Sequence, residues 1–192
     1  MGKSEGNLIK LDDLIKAHIH PLSYRYLVLG AHYKTTLNIN IQAIINAQNS
    51  FESILNEIRL LINKIDKEEI GSLFLENYIN EFNDYINDDL DTPKAIALIY
   101  KLLKENAPLD KKVATILKFD QVLGLNLFLL AKKLNEIPED IIESVNERKN
   151  ARQNKEWEKS DKIRKSLEEK GFIIKDSDGK TTTERKLFSL VN

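Results

Sequence analysis

His18 and His20 flank Ile19 in an H-I-H triplet. On a strand the two imidazoles would share a face and could ligate a metal; on a helix they would diverge. No third ligand lies close in sequence, and the remaining histidine is His32, so no metal site is expected and an ordinary surface or capping role is. Asp88, Asp89 and Asp91 offer carboxylates, but the spacing and the Gly of a calcium loop are missing. Thr92-Pro93 behind them reads instead as the start of a helix, with Asp91 or Thr92 as its cap. No nucleophile sits beside a base and no Gly-rich phosphate loop of a known type is present, so no catalytic set is complete in this chain. The opening Met1-Gly2-Lys3-Ser4-Glu5-Gly6-Asn7 puts the ammonium of Lys3 and the hydroxyl of Ser4 on a turn, a combination able to hold phosphate oxygens.

The other chemistry lies near the C-terminus. Arg148, Arg152, Lys155, Lys159 and Lys162 are spaced by steps of three and four. If one helix runs through all of them, they form a single basic stripe. Trp157, the only tryptophan, falls inside that stretch, where an indole can stack on an unpaired base. Glu156, Glu158 and Asp161 dilute the field, and a solvated face with Trp157 in the core is the competing reading.

These residues need elements to position them. Seven Gly and four Pro among 192 residues are few breakers, which favours long helices. Apolar residues at three- and four-residue steps predict a helix over 41–65, begun by Asn40. Further helices are expected over 73–86, 94–105 and 111–133, the last open to interruption at Gly124. Shorter apolar stretches at 8–15 and 22–29 precede them. After Pro138 a helical segment ends at Lys170-Gly171, where Gly is a favoured stop. Residues 172–174 then read as a strand, 176–179 as a turn and 181–183 as a return strand. The expected fold is mainly α, an antiparallel helical bundle followed by a small α+β module.

The charge supports this division. Residues 146–192 carry 13 Lys and Arg against 9 Asp and Glu, which leaves 16 against 21 for residues 1–145. This asymmetry suggests a small basic module appended to an acidic bundle; the net charge of -1 excludes a uniformly basic nucleic-acid coat but not a local basic face. The absence of cysteine removes disulfides, thiolate nucleophiles and Cys-ligated zinc. The most apolar stretch, 122–131, is about half the ~20 residues that span a bilayer, and no export signal opens the chain. A cytoplasmic protein without membrane or DNA partners is expected.

Several stretches together resemble the C-terminal portion of the cysteinyl-tRNA synthetase family, class I aminoacyl-tRNA synthetases. The opening MGKSEGN is similar to the end of that family's KMSKS loop. Ala31-His32-Tyr33-Lys34-Thr35-Thr36-Leu37-Asn38 resembles its A-H-Y-R-S-P-L-N, and Asp88-Asp89-Leu90-Asp91-Thr92-Pro93-Lys94-Ala95 its D-D-x-N-T-P-x-A. Arg148, Ala151-Arg152, Lys155, Trp157, Ser160-Asp161, Ile163-Arg164, Leu167 and Gly171 resemble its anticodon-binding segment, closed by the 176–179 turn.

The resemblance implies three regions: a KMSKS-like loop and catalytic end over 1–21, a helical stem-contact and bundle domain over 22–136, and an anticodon-binding module over 137–192. It implies that Lys3 and Ser4 contact ATP. It further implies tRNA(Cys) as partner, met by Arg148, Arg152, Lys155, Trp157, Lys159, Asp161, Arg164 and Asp178. In the family the HIGH motif and the zinc site lie upstream of this portion, and the chain carries neither. It is therefore expected to need a catalytic half to ligate cysteine to tRNA(Cys) with ATP. Two alternatives stand beside this reading: a stand-alone helical interaction module, and a remnant of a cysteine ligase with a non-tRNA acceptor.

Overall fold

A computed structural model describes residues 10–65, 73–177 and 180–191. The chain divides into two compact units, 1–131 and 132–192. The fold is mainly α, with a two-stranded sheet near the C-terminus.

In the first unit the helices are α1 (Leu11–Lys16), α2 (Pro21–Leu29), α3 (Ile41–Ile62), α4 (Glu76–Asn87), α5 (Thr92–Lys104) and α6 (Leu109–Leu123), and α7 (Leu127–Lys133) begins in it and ends just past the division. Polar side chains start three of them. Asn40 Oδ1 accepts the Ala43 N–H at 2.8 Å at the head of α3. Asp91 Oδ1 accepts the Lys94 N–H at 3.2 Å at the head of α5, where Pro93 loses no helical hydrogen bond. His20 Nδ1 accepts the Leu22 N–H at 3.2 Å at the head of α2.

The H-I-H triplet is thus a helix stop followed by a helix start. His18 adopts φ +59° just after α1, with its N–H donating to Ile15 O and that of Ile19 to Leu14 O. This is the left-handed closure that satisfies a helix's last carbonyls. Leu14 and Ile19 then pack together with Ile44 of α3.

The apolar stripe of α3 is the wall on which the unit packs: Ile44, Phe51, Ile54, Leu55 and Ile58 are buried. The rings of Phe82 (α4) and Phe119 (α6) stack at 4.3 Å, an offset-stacked pair adding to simple burial. The end of α5 is closed by a buried cation, Lys112, whose Nζ donates to Leu103 O and Glu105 O at 2.7 and 2.9 Å. Burial pushes that ammonium below its ordinary range.

The helix expected over 111–133 is two helices, α6 and α7, bent by 115°. Gly124 stops α6 at φ +63°. A Cβ there would lie 2.9 Å from a guanidinium nitrogen of Arg25, whose Nε donates to Leu123 O at 2.7 Å. Asp120 then accepts the N–H groups of Leu125 and Leu127, both at 2.7 Å, restarting the chain as α7. Among the described residues no single helix is long and apolar enough to cross a membrane.

The second unit holds α8 (Glu139–Gln153), α9 (Trp157–Glu169), β1 (Phe172–Ser177), β2 (Lys180–Arg185) and a final 3₁₀ turn (Leu187–Leu190). The strands pair antiparallel from Phe172↔Arg185 to Ser177↔Lys180. Ile141, Leu167, Phe172 and Ile174 form the core, with Ile137, Val145 and Ile163 against it. Gly171, at φ +84°, turns α9 into β1; a Cβ there would sit 2.8 Å from the Ser189 Cβ.

The condition for a single basic stripe, one helix through all five residues, is not met. Lys155 adopts φ +62°, its N–H donates to Arg152 O, and the Glu156 N–H donates to Ala151 O at 2.8 Å. That 6→1 closure ends α8, and α9 packs back on it. The basic stripe is therefore split between two helices.

Candidate nucleic-acid interface

The inner face of α8 carries Ile141, Val145 and Arg148 at helical spacing. Arg148 is expected from the sequence on the nucleic-acid face, but its side chain is only 2% exposed, so it presents no surface to a nucleic acid. The apolar lining of the core explains its stem; its charge is met from the hairpin. Along β1 the residues Phe172, Ile174 and Asp176 share one face, and Asp176 takes the position nearest the hairpin turn. Arg148 Nη2 donates to Asp176 Oδ2 at 2.8 Å and Nη1 to Oδ1 at 3.4 Å. Thr181 Oγ1, from β2, donates to the same Oδ1 at 2.8 Å. One turn further along α8, Arg152 Nη1 lies 3.5 Å from Oδ2. These donors, with Arg148 foremost, hold the Asp176 carboxyl down at about 2.

Asp176 is thus the centre of a constellation that sequence reading missed, because it stood there only as the start of a turn. The signal was present: an Arg at an apolar position of α8's inner face, and an Asp extending the inward face of β1. A buried charge on the inner face calls for an opposite charge within reach, and Asp176 at the exposed end of that strand face supplies it.

On α9, Ser160, Ile163 and Leu167 face inward; Ser160 and Leu167 are buried. A flanking, exposed face carries Trp157, Asp161 and Arg164, at i, i+4 and i+7. Trp157 is 57% exposed, which overturns its core reading and leaves the indole as a free platform. Lys155 and Arg152 are exposed beside the α8–α9 turn. Lys159 pairs with Glu147 at 2.9 Å and Arg164 with Glu168 at 3.0 Å, both exposed pairs of the kind that contributes little to stability. Asp178, Lys3 and Ser4 lie outside the described residues.

In the first unit, two stretches read separately in the sequence meet. Tyr33 donates to Asp89 Oδ1 at 2.6 Å, Lys34 Nζ pairs with Asp89 Oδ2, and His32 Nε2 lies 3.7 Å from the same oxygen. The His32 and Tyr33 rings stack at 5.0 Å, and Lys34 sits over the Tyr33 ring. Lys34 and Tyr33 hold the Asp89 carboxyl below its ordinary range. Among the described residues no three His, Cys, Asp or Glu side chains gather as a metal site, and the chain has no Cys; the described residues do not fit the zinc site that the resemblance places elsewhere.

No family model matches the chain. Curated cysteine–tRNA ligases do. The chain is 33% identical to cysteine–tRNA ligase 1 of Burkholderia lata over 92% of its own length and 36% of that protein. It is 32% identical to the cysteine–tRNA ligase of Treponema denticola over 96% of its own length and 43% of that protein. For the enzyme of Acholeplasma laidlawii the figures are 34%, 90% and 39%. The chain thus spans about two fifths of the length of the curated relatives it matches, and the similarity is to a C-terminal portion of them.

Proposed function

We propose, from the premise that this chain is similar to the C-terminal portion of cysteine–tRNA ligases, that it binds tRNA(Cys) through α8, α9 and the hairpin. The observation that carries this reading is the outer face of α9: a half-exposed indole, Trp157, with Asp161 and Arg164 on the same face and Lys155 and Arg152 beside its first turn. An exposed aromatic offers a surface for an unpaired base, the cations neutralise phosphates, and the carboxylate and guanidinium offer edge contacts to bases. Lys155, Lys159 and Arg152 are assigned to phosphate, and Trp157, Asp161, Arg164 and Asp178 to bases. The helical first unit is assigned to the tRNA stem. Lys3 and Ser4 are assigned to the phosphates of ATP, where fixed positive charge and donors stabilise phosphate in transfer. Ligation of cysteine to tRNA(Cys) is assigned to the complete enzyme, which supplies the HIGH motif and zinc site in the family resembled.

Trp157, the only tryptophan, is its own probe. Titration of the chain with a tRNA(Cys) transcript should quench its emission, with weaker quenching by a transcript of altered anticodon. The affinity should fall steeply as salt rises. Equal binding of both transcripts, or none, overturns the assignment.

A further inference from the structure

Arg148 is the largest fully buried side chain in the described protein, and its Nε has no hydrogen-bond partner. The guanidinium is desolvated while its partner Asp176 remains 36% exposed, and a charge buried on such terms gains little over an apolar side chain of the same volume. An unpaired guanidinium nitrogen makes the bargain worse, so stability is a poor account of this residue. Its geometry is a better one. The planar fork meets both oxygens of one carboxylate, and that carboxylate also receives Thr181 from β2 and Arg152 from the next turn of α8. Asp176 therefore ties α8 to both strands, and Arg148 orients it from inside.

We infer that Arg148 is a positioning residue of the proposed tRNA interface, acting through Asp176 to set where Arg152 stands and how freely it leaves. This rests on the reading of α8, α9 and the hairpin as a tRNA-binding module. Arg152 is exposed and lies within ion-pair distance of Asp176, so a nucleic-acid phosphate must compete with that carboxylate for it. With Arg148 fixed behind Asp176, Arg152 can turn to a phosphate without leaving a bare carboxylate facing the nucleic acid. Without Arg148, Arg152 becomes the principal counter-charge of Asp176 and stays there.

A double-mutant cycle in the full chain tests this. Arg152→Ala should weaken binding of the tRNA(Cys) transcript roughly tenfold, as loss of a single cationic contact does. Arg148→Met should weaken it comparably while circular dichroism shows the module folded. The double variant should be weaker than either single but by less than the product of the two effects, because the Arg152 contact is lost only once and the bared Asp176 carboxylate alone adds to it. Effects that multiply would mean that Arg148 contacts RNA independently, and wild-type affinity in Arg148→Met would mean that it only fills space; either overturns the inference. Should Arg148→Met not fold, Arg148→Lys replaces it in the same cycle, keeping the charge and losing the fork. A readout free of tRNA separates this inference from the functional one. NMR titration of the Asp176 carboxyl should show it rising from about 2 in the Arg148 variant. An unchanged titration overturns the link even if tRNA binding is real, whereas a wild-type chain that ignores tRNA overturns only the function.

Discussion

Tyr33 and Asp89, 56 residues apart, are joined by a 2.6 Å hydrogen bond in which the phenol donates to the carboxylate. The loop after α2 is thereby fastened to the turn before α5. Asp89 and Leu90 pass through that turn at φ +56° and +55°, a conformation that L-residues adopt at a cost. The carboxylate's position is therefore set by backbone, and the loop comes to it.

Asp89→Ala should free the loop without unfolding the bundle, because its hydrogen-bond partners Tyr33 and Lys34 are exposed and the caps of α3 and α5 do not use it. Amide hydrogen exchange over 32–36 should accelerate, while the thermal midpoint changes little. A large fall in the midpoint, with no local change in exchange, would show that Asp89 serves the core instead.

His20 should make stability depend on pH in a defined window. Burial lowers its imidazole to about 4 in the folded chain, against about 6.5 unfolded. Below pH 6.5 the unfolded chain takes up a proton that the folded chain refuses. Stability is therefore full above about pH 6.5 and falls as pH drops toward 4, by at most about 3 kcal/mol. Nδ1 must stay unprotonated to accept the Leu22 N–H, so the cap is lost with the same proton. His20→Asn keeps an acceptor without a titration; urea unfolding between pH 4 and 7 should then be flatter than for the wild type. An unflattened profile would place the dependence elsewhere. Asp176 does not confuse the window, because its stabilisation is present above about pH 4 and is lost only as pH falls toward 2.

What the sequence disclosed and what it hid divide along one line. Asn40, Asp91 and Pro93 act within four residues of themselves, so the starts of α3 and α5 were readable from residue type alone. Gly171 marked the end of α9 for the same reason, as did Gly124 for the break after α6. The end of α8 was hidden because a lysine, not a glycine, stands at the left-handed position. Arg148 was hidden because its partner lies 28 residues away on a strand, and charge in a three-four spacing looks the same whether it faces water or a carboxylate. Trp157 could not be placed by periodicity at all, since its face of α9 is decided only once α9 starts afresh at that residue.

Gly171 should not tolerate a side chain. At φ +84° an alanine is strained, and its Cβ would meet Ser189 Cβ at 2.8 Å and the Phe188 ring at 3.1 Å. A residue forced into that conformation costs of order 1–3 kcal/mol before any clash is counted. Gly171→Ala should lower the midpoint of the second unit's unfolding by several degrees, while Gly30→Ala, at an ordinary helical φ, costs much less. Similar losses at the two sites would show that the left-handed turn is not what fixes the strand start.

Lys155 poses the opposite case, a side chain where glycine would be more comfortable. The bonds from Lys155 N to Arg152 O and from Glu156 N to Ala151 O fix it as the left-handed residue closing α8, where glycine is the usual occupant. The side chain is exposed, so removing it sacrifices little packing. Lys155→Gly should therefore stabilise the chain by about 1 kcal/mol, the relief of left-handed strain less the added freedom of the unfolded glycine. If the exposed ammonium beside Trp157 meets a tRNA phosphate, the same change should weaken binding and reduce its dependence on log salt concentration by about one. A variant that is both more stable and a poorer binder would show that the lysine is kept in a strained place for contact. One that is more stable and binds as well would remove Lys155 from the interface, leaving Trp157 and Arg152 to carry it.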